Sequence, residues 1–114
     1  EDTMLPMMYM PDCLKATMDL FLADKENLKH HSNFNVAAMS FTAAEQVESI
    51  RKHIPELEVE YVPDFRQQIA DSWPKSIDDS AAREEWGWKE EFDLEAMTAD
   101  MLKEIRIKVE KGLY

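Results

Sequence analysis

Apolar residues recur along the chain in short groups that alternate with polar turns. Met7 to Met10 is apolar and lies between prolines, and residues 34–39 form a second apolar group; both patterns predict buried strands. Residues 58–62 alternate polar and apolar side chains, which predicts a half-exposed strand. Since the first two groups are apolar on both faces, we expect their strands to belong to a larger sheet.

Helical spacing follows each strand signal. Asp12 is expected to cap a helix that runs to about Ala23 and carries Leu14, Met18, Phe21 and Leu22 on one side. Thr42 and Glu45 form a capping box for a second helix that ends before Pro55. A short helix is expected over residues 65–70. Asp79 or Ser80 then starts a helix that Gly87 ends, and Asp93 starts the last.

The order of these elements predicts an α/β fold with few strands and four to five helices. The chain has 114 residues, enough for one modest core, and its composition is globular. No apolar run is long enough for a membrane helix, so no membrane partner is expected. The net charge of −11 argues against nucleic acid, which requires clustered Lys and Arg.

Few residues suit metal or covalent chemistry. His30, His31 and His53 have no metal-ligand spacing, so no metal site is expected. Cys13 is the one cysteine; it fits a reducing compartment, and we expect it to pack as an inert side chain in the first helix. Neither of the two glycines lies in a phosphate-binding loop.

The segment from Pro63 to Trp88, PDFRQQIADSWPKSIDDSAAREEWGW, is the most informative part of the chain. Its end resembles the helix and Gly-Trp turn of extended short-chain dehydrogenases/reductases. With the Asp-Ser-Trp-Pro insertion at residues 71–74, it resembles the NAD-dependent L-threonine 3-dehydrogenase branch of that superfamily. Residues 5–14, 34–42 and 92–95 are similar to further segments of the same family.

The resemblance implies that residues 1–114 are the C-terminal, substrate-binding portion of an epimerase-like Rossmann enzyme, with late Rossmann elements near residues 34–54. It implies an N-terminal NAD-binding domain outside this sequence, which carries the catalytic Ser or Thr and the Tyr-Lys pair. These residues alone are therefore not expected to be active. The full enzyme would oxidise L-threonine to 2-amino-3-ketobutyrate, pair as a homodimer and be intracellular, in the bacterial cytoplasm or the mitochondrial matrix.

Four residues are candidates for binding the substrate. Trp73 could close over a small zwitterion and exclude water, although a core tryptophan is the alternative. Asp71 could attract the ammonium group, although it could equally serve as a local cap, and the Ser72 hydroxyl could hydrogen-bond either end of the substrate. Arg66 could hold a carboxylate, although an ion pair with a nearby acid is also expected of it. Trp86 and Trp88 are expected to be packing residues.

Two other functions stay open. One is a sugar-nucleotide epimerase or reductase of the same superfamily. The other is a non-catalytic acidic interaction domain, which would fold alone with its strand edges protected.

Overall fold

The computed structural model describes residues 1–113 and contains two strands and five α-helices. This composition confirms the α/β fold class. The elements in chain order are β1 Met4–Met7, α1 Met10–Leu22, a 3₁₀ turn Lys25–Asn27, β2 Met39–Thr42, α2 Ala43–Arg51, α3 Arg66–Asp71, α4 Ser80–Trp86 and α5 Leu94–Glu110.

Strands β1 and β2 form an antiparallel pair in which Met4 lies opposite Thr42 and Met7 lies opposite Met39. The sequence pattern predicted a strand from Met7 to Met10, whereas β1 ends at Met7. The predicted position of the first strand is therefore wrong. Pro11 lies in the first turn of α1, where a backbone N–H has no helical partner to lose. The helix can therefore begin at Met10, the last of the residues that were assigned to the strand.

The other two strand predictions are also wrong. Residues 34–38 form no strand. Side chains bond the backbone of Ala37 instead: its N–H donates to the Asp79 carboxylate at 3.2 Å, and its carbonyl accepts from the Trp88 indole at 2.7 Å. Residues 58–62 have no strand partner among the described residues. A period-two pattern cannot by itself supply such a partner.

The helix ends follow local chemistry. The Thr42 hydroxyl accepts from the Glu45 amide at 3.2 Å, while the Glu45 carboxylate accepts from the Thr42 amide at 2.7 Å, which confirms the capping box. Asp93 accepts from the Ala96 amide at 2.8 Å. Gly87 has a φ of 73°, the left-handed conformation that ends α4 without the strain that a Cβ would cause.

Helix α1 buries a different face from the one its hydrophobic pattern suggests. Asp12 and Ala16 are buried, whereas the predicted apolar stripe is exposed: Leu14, Met18, Phe21 and Leu22. Cys13 is exposed as well, so its expected packing is wrong. The N-cap of the helix is Tyr9, not Asp12.

Asp12 instead joins α1 to the segment that precedes α5. Its carboxylate is only 1% exposed and accepts from the backbone amides of Glu91 at 2.9 Å and Phe92 at 3.1 Å. These bonds satisfy a buried polar side chain, which would otherwise be destabilising.

A small core surrounds Ala16, Ala82 and Trp88, with Met8, Phe34, Val36 and Trp86 packed against it. Beside it, the buried Glu85 carboxylate accepts from the backbone amides of Lys29 at 2.7 Å and His30 at 2.9 Å, and also contacts the His30 ring. Burial opposes ionisation of Glu85, but the hydrogen bonds from His30 and Lys29 outweigh it and hold its pKa below the ordinary value. This contact ties the loop after α1 to α4.

Among residues 1–113, no helix combines the length and the apolar character that a membrane crossing requires.

Candidate functional site

A cleft of about 510 Å³ lies between the start of the chain and the corner that follows α3. Its wall includes Thr3, Pro63, Gln67, Asp71, Trp73 and Lys75. The cleft therefore combines an aromatic face with charges of both signs. Such a combination suits a small polar ligand with an apolar portion.

Trp73 lies at the corner because α3 cannot continue past it. The helix ends at Asp71, and Pro74 disfavours helical backbone at the residue before it. The indole is 57% exposed and lines the cleft. Trp73 is thus not a core residue of the described chain, and its role in substrate binding stays a prediction.

Asp71 is held in the cleft by a polar cluster. Its Oδ1 accepts from Gln67 Nε2 at 2.7 Å and from the Thr3 hydroxyl at 3.4 Å, and Gln67 Nε2 also donates to Thr3 Oγ1. Gln67 lies four residues before Asp71, so the pair shares one face of α3. The cluster joins α3 to the residue that precedes β1.

Ser72 and Arg66 have other partners. The Ser72 hydroxyl donates to the Ile69 carbonyl at 2.7 Å, and Ser72 is not part of the cleft wall. The Arg66 guanidinium pairs with Asp64 at 2.7 Å on the exposed surface. This hydrogen-bonded pairing lowers the pKa of Asp64 and raises that of Arg66. The ion pair expected as the alternative for Arg66 is present, and the substrate roles of both residues stay predictions.

Sequence reasoning missed Thr3, Gln67 and Lys75. Gln67 had a usable signal, since residues four apart on a helix are neighbours. Thr3 had none, because it lies 64 residues before Gln67 in the chain. Lys75 could have been found from the alternation of the segment: residues 71, 73 and 75 line the cleft, whereas residues 72 and 74 do not.

Trp86 and Trp88 have the packing roles expected of them. Trp88 is 2% exposed, and its ring centroid lies 5.9 Å from that of Trp86, which in turn contacts Phe34 edge to face. Across residues 1–113, the structure brings no three His, Cys, Asp or Glu side chains together in a way that could hold a metal ion.

Comparison with known proteins identifies the relatives of the chain. No family model matches it. It is 51% identical over 102 residues to the mitochondrial L-threonine 3-dehydrogenase of Bos taurus, an alignment that covers 89% of this chain and 27% of the relative. It is also 43% identical over 109 residues to an uncharacterized epimerase/dehydratase of Staphylococcus haemolyticus, covering 95% of this chain and 34% of the relative.

Solved structures give the same result. The L-threonine dehydrogenase of Phytophthora infestans is 53% identical and superimposes with a TM-score of 0.88, covering 92% of this chain and 34% of that one. The GalE-like L-threonine dehydrogenase of Cupriavidus necator in its apo form is 48% identical with a TM-score of 0.87, covering 92% of this chain and 38% of that one.

The chain thus spans between 27% and 38% of the length of these relatives. Over nearly all of its own length, in sequence and in fold, it is similar to one portion of the GalE-like L-threonine 3-dehydrogenases, which confirms the resemblance first indicated by Pro63 to Trp88.

Proposed function

We propose that the chain is the C-terminal substrate-binding portion of an NAD-dependent L-threonine 3-dehydrogenase that oxidises L-threonine to 2-amino-3-ketobutyrate. The observation that carries the proposal is the Trp73 cleft, formed by the segment that first indicated the family. The identity to named threonine dehydrogenases, 51% over 102 residues in the bovine case, supports it.

In this proposal the present chain binds and encloses the substrate. Trp73 covers the apolar side of threonine and excludes water from the reacting carbon. Asp71 binds the ammonium group with the carboxylate oxygen that Gln67 and Thr3 leave available, since their bonds go to Oδ1. Ser72 and Arg66 would contribute only after a change of partners, because each is engaged elsewhere.

NAD is proposed to bind mainly outside these residues. The described glycines, Gly87 and Gly112, end helices and form no glycine-rich phosphate loop. When bound, NAD⁺ would accept the hydride from the threonine C3. The general base and the groups that polarise the hydroxyl would lie with it, in the N-terminal part of a longer polypeptide.

The exposed apolar residues of α1 support this division of the chain. Phe21 is 80% exposed, and Leu14, Met18 and Leu22 are exposed beside it. A contiguous apolar face of this kind normally packs against another part of the protein. We propose that the NAD-binding domain covers it, and that residues 34–54 contribute late elements of the Rossmann fold.

We further propose that the enzyme is a homodimer that binds neither nucleic acid nor membranes. The net charge of −11 supports the former exclusion. The location would be the mitochondrial matrix in a eukaryote, as the name of the bovine relative suggests, or the cytoplasm in a bacterium. The mass of the intact protein in solution tests the dimer.

The activity is tested with the intact polypeptide and NAD⁺. We expect NADH to form with L-threonine and not with a UDP-sugar. Conversion of the UDP-sugar without threonine oxidation would favour the epimerase alternative instead. The similarity to the staphylococcal epimerase/dehydratase is the observation that supports this alternative.

The role of Trp73 is tested by the Trp73→Ala variant, for which we expect the KM for L-threonine to rise about tenfold or more. The loss of a covering aromatic ring is typically worth about 1–2 kcal/mol, and each 1.4 kcal/mol is tenfold. Phe65→Ala is the matched control, because Phe65 is exposed near α3 but does not line the cleft. Equal effects of the two substitutions would contradict a specific role for Trp73.

A further inference from the structure

The Trp73 cleft carries opposite charges on two alternate residues of one segment. Asp71, Trp73 and Lys75 all line it, while the intervening Ser72 and Pro74 do not. Asp71 and Lys75 thus lie on either side of the indole along the chain. Lys75 is the one basic residue of the cleft wall, where Glu1 and Asp2 are acidic like Asp71.

The two charged side chains differ in how they are held. Asp71 is oriented through Oδ1 by Gln67 and Thr3, and its Oδ2 accepts no hydrogen bond within residues 1–113. Lys75 makes no ion pair or hydrogen bond in the same range, in contrast to Lys15, which pairs with Asp19 at 2.5 Å. The cleft therefore offers one fixed acceptor and one uncommitted cation.

We propose that Lys75 binds the carboxylate of a zwitterionic α-amino acid whose ammonium group is held by Asp71. This inference rests on the proposed function, and it assigns the carboxylate subsite that the function requires. An ammonium group on Asp71 and a carboxylate on Lys75 satisfy both charges, and the Trp73 ring lines the same cleft as an apolar surface for the side chain of the ligand. Gln67 is a positioning residue, because it acts on the substrate only through Asp71.

The arrangement also gives selectivity. An amine without a carboxylate would leave Lys75 unpaired, and a carboxylic acid without an amine would meet the three acids of the cleft wall. Because the charged groups are exposed, solvent screens them, and each contact is worth only a modest factor in affinity.

The decisive experiment compares L-threonine with L-threoninamide, which keeps the ammonium and hydroxyl groups but has no carboxylate. Binding of each is measured by calorimetric titration of the intact protein, and turnover is measured by NADH formation. We expect the wild type to prefer L-threonine about five- to tenfold in both assays. Lys75→Met should abolish this preference by weakening L-threonine alone.

Three variants complete the test. Lys75→Arg keeps the positive charge and should retain the preference. Asp71→Asn should weaken both ligands equally, since both carry the ammonium group. Lys25→Met removes a lysine from the 3₁₀ turn, away from the cleft wall, and should leave both affinities unchanged.

The inference is overturned if the wild type does not distinguish the two ligands, if neither ligand binds, or if Lys75→Met keeps the preference. Failure of the proposed function gives a separate result, because a protein that binds L-threonine in preference to its amide without forming NADH would retain the carboxylate subsite and lose the dehydrogenase activity.

Discussion

Trp73 and Trp88 lie 15 positions apart in the same segment and have opposite environments. Trp88 is 2% exposed, packs in the core with Ala16 and Ala82, and donates to the Ala37 carbonyl at 2.7 Å. Trp73 is 57% exposed and lines a cleft. The comparison shows that the two halves of the segment have different roles. The Gly87 turn places an aromatic side chain in the core and stabilises the fold, while the corner at Trp73 leaves an aromatic side chain exposed beside the cleft.

Local backbone chemistry accounts for this difference. Gly87 ends α4 in a left-handed conformation, which lets the chain turn so that Trp88 reaches the core. Pro74 follows Trp73 and prevents α3 from extending, so the indole is left at a corner with little chain around it. An aromatic residue exposed beside a cleft gains little stability there and is more easily explained by binding.

The largest effect on stability is expected for Trp88→Ala, which removes the buried tryptophan of this pair. We expect the free energy of unfolding of the intact protein to fall by about 3–5 kcal/mol, because a large buried side chain is lost and a cavity remains. Urea denaturation measures the change. Trp88→Phe is the control: it keeps most of the packing and loses the hydrogen bond to Ala37, so it should cost about 1–2 kcal/mol. A loss below about 1 kcal/mol for Trp88→Ala would contradict its core role.

The next largest effect is expected for Asp12→Ala, which tests whether α1 stabilises the segment between the Gly87 turn and α5. The substitution leaves the amides of Glu91 and Phe92 without their buried acceptor, and we expect a loss of about 2–4 kcal/mol in the free energy of unfolding. Denaturation measures it, with Asp19→Ala on the same helix as a control for the loss of an acidic side chain. Equal losses in the two variants would show that the buried hydrogen bonds contribute little.

The smallest effect on stability is expected for Trp73→Ala. Because the indole is already more than half exposed, its removal should change the free energy of unfolding by less than about 1 kcal/mol, even though the KM for L-threonine rises. Denaturation and turnover of the same preparation check the two halves of this prediction. A loss of stability comparable with that of Trp88→Ala would make Trp73 a structural residue.

Local sequence signals predicted the starts of α2 and α5 and the end of α4, whereas the start of α1 was misplaced. The Thr42 and Glu45 capping box, the Asp93 cap and the Gly87 stop each depend on contacts within a few residues, so the chain needs no distant partner to form them. The Pro63 to Trp88 segment also sufficed to indicate the family. The α/β class followed from the same patterns, although the strands were misplaced.

Tertiary structure decided everything that depends on distant partners. Residues 34–38 have an apolar pattern suited to a strand, but the Asp79 and Trp88 side chains take the backbone of Ala37. Asp12 was expected at a helix start and is instead buried against amides about 80 positions away. In the cleft, Thr3 meets Gln67 and Asp71 only because the residue before β1 lies beside α3 in space. Local signals in the sequence were enough to predict the starts of α2 and α5, the end of α4 and the family resemblance. The buried contacts and the wall of the cleft required the folded chain, because no short-range pattern specifies which distant residues will meet.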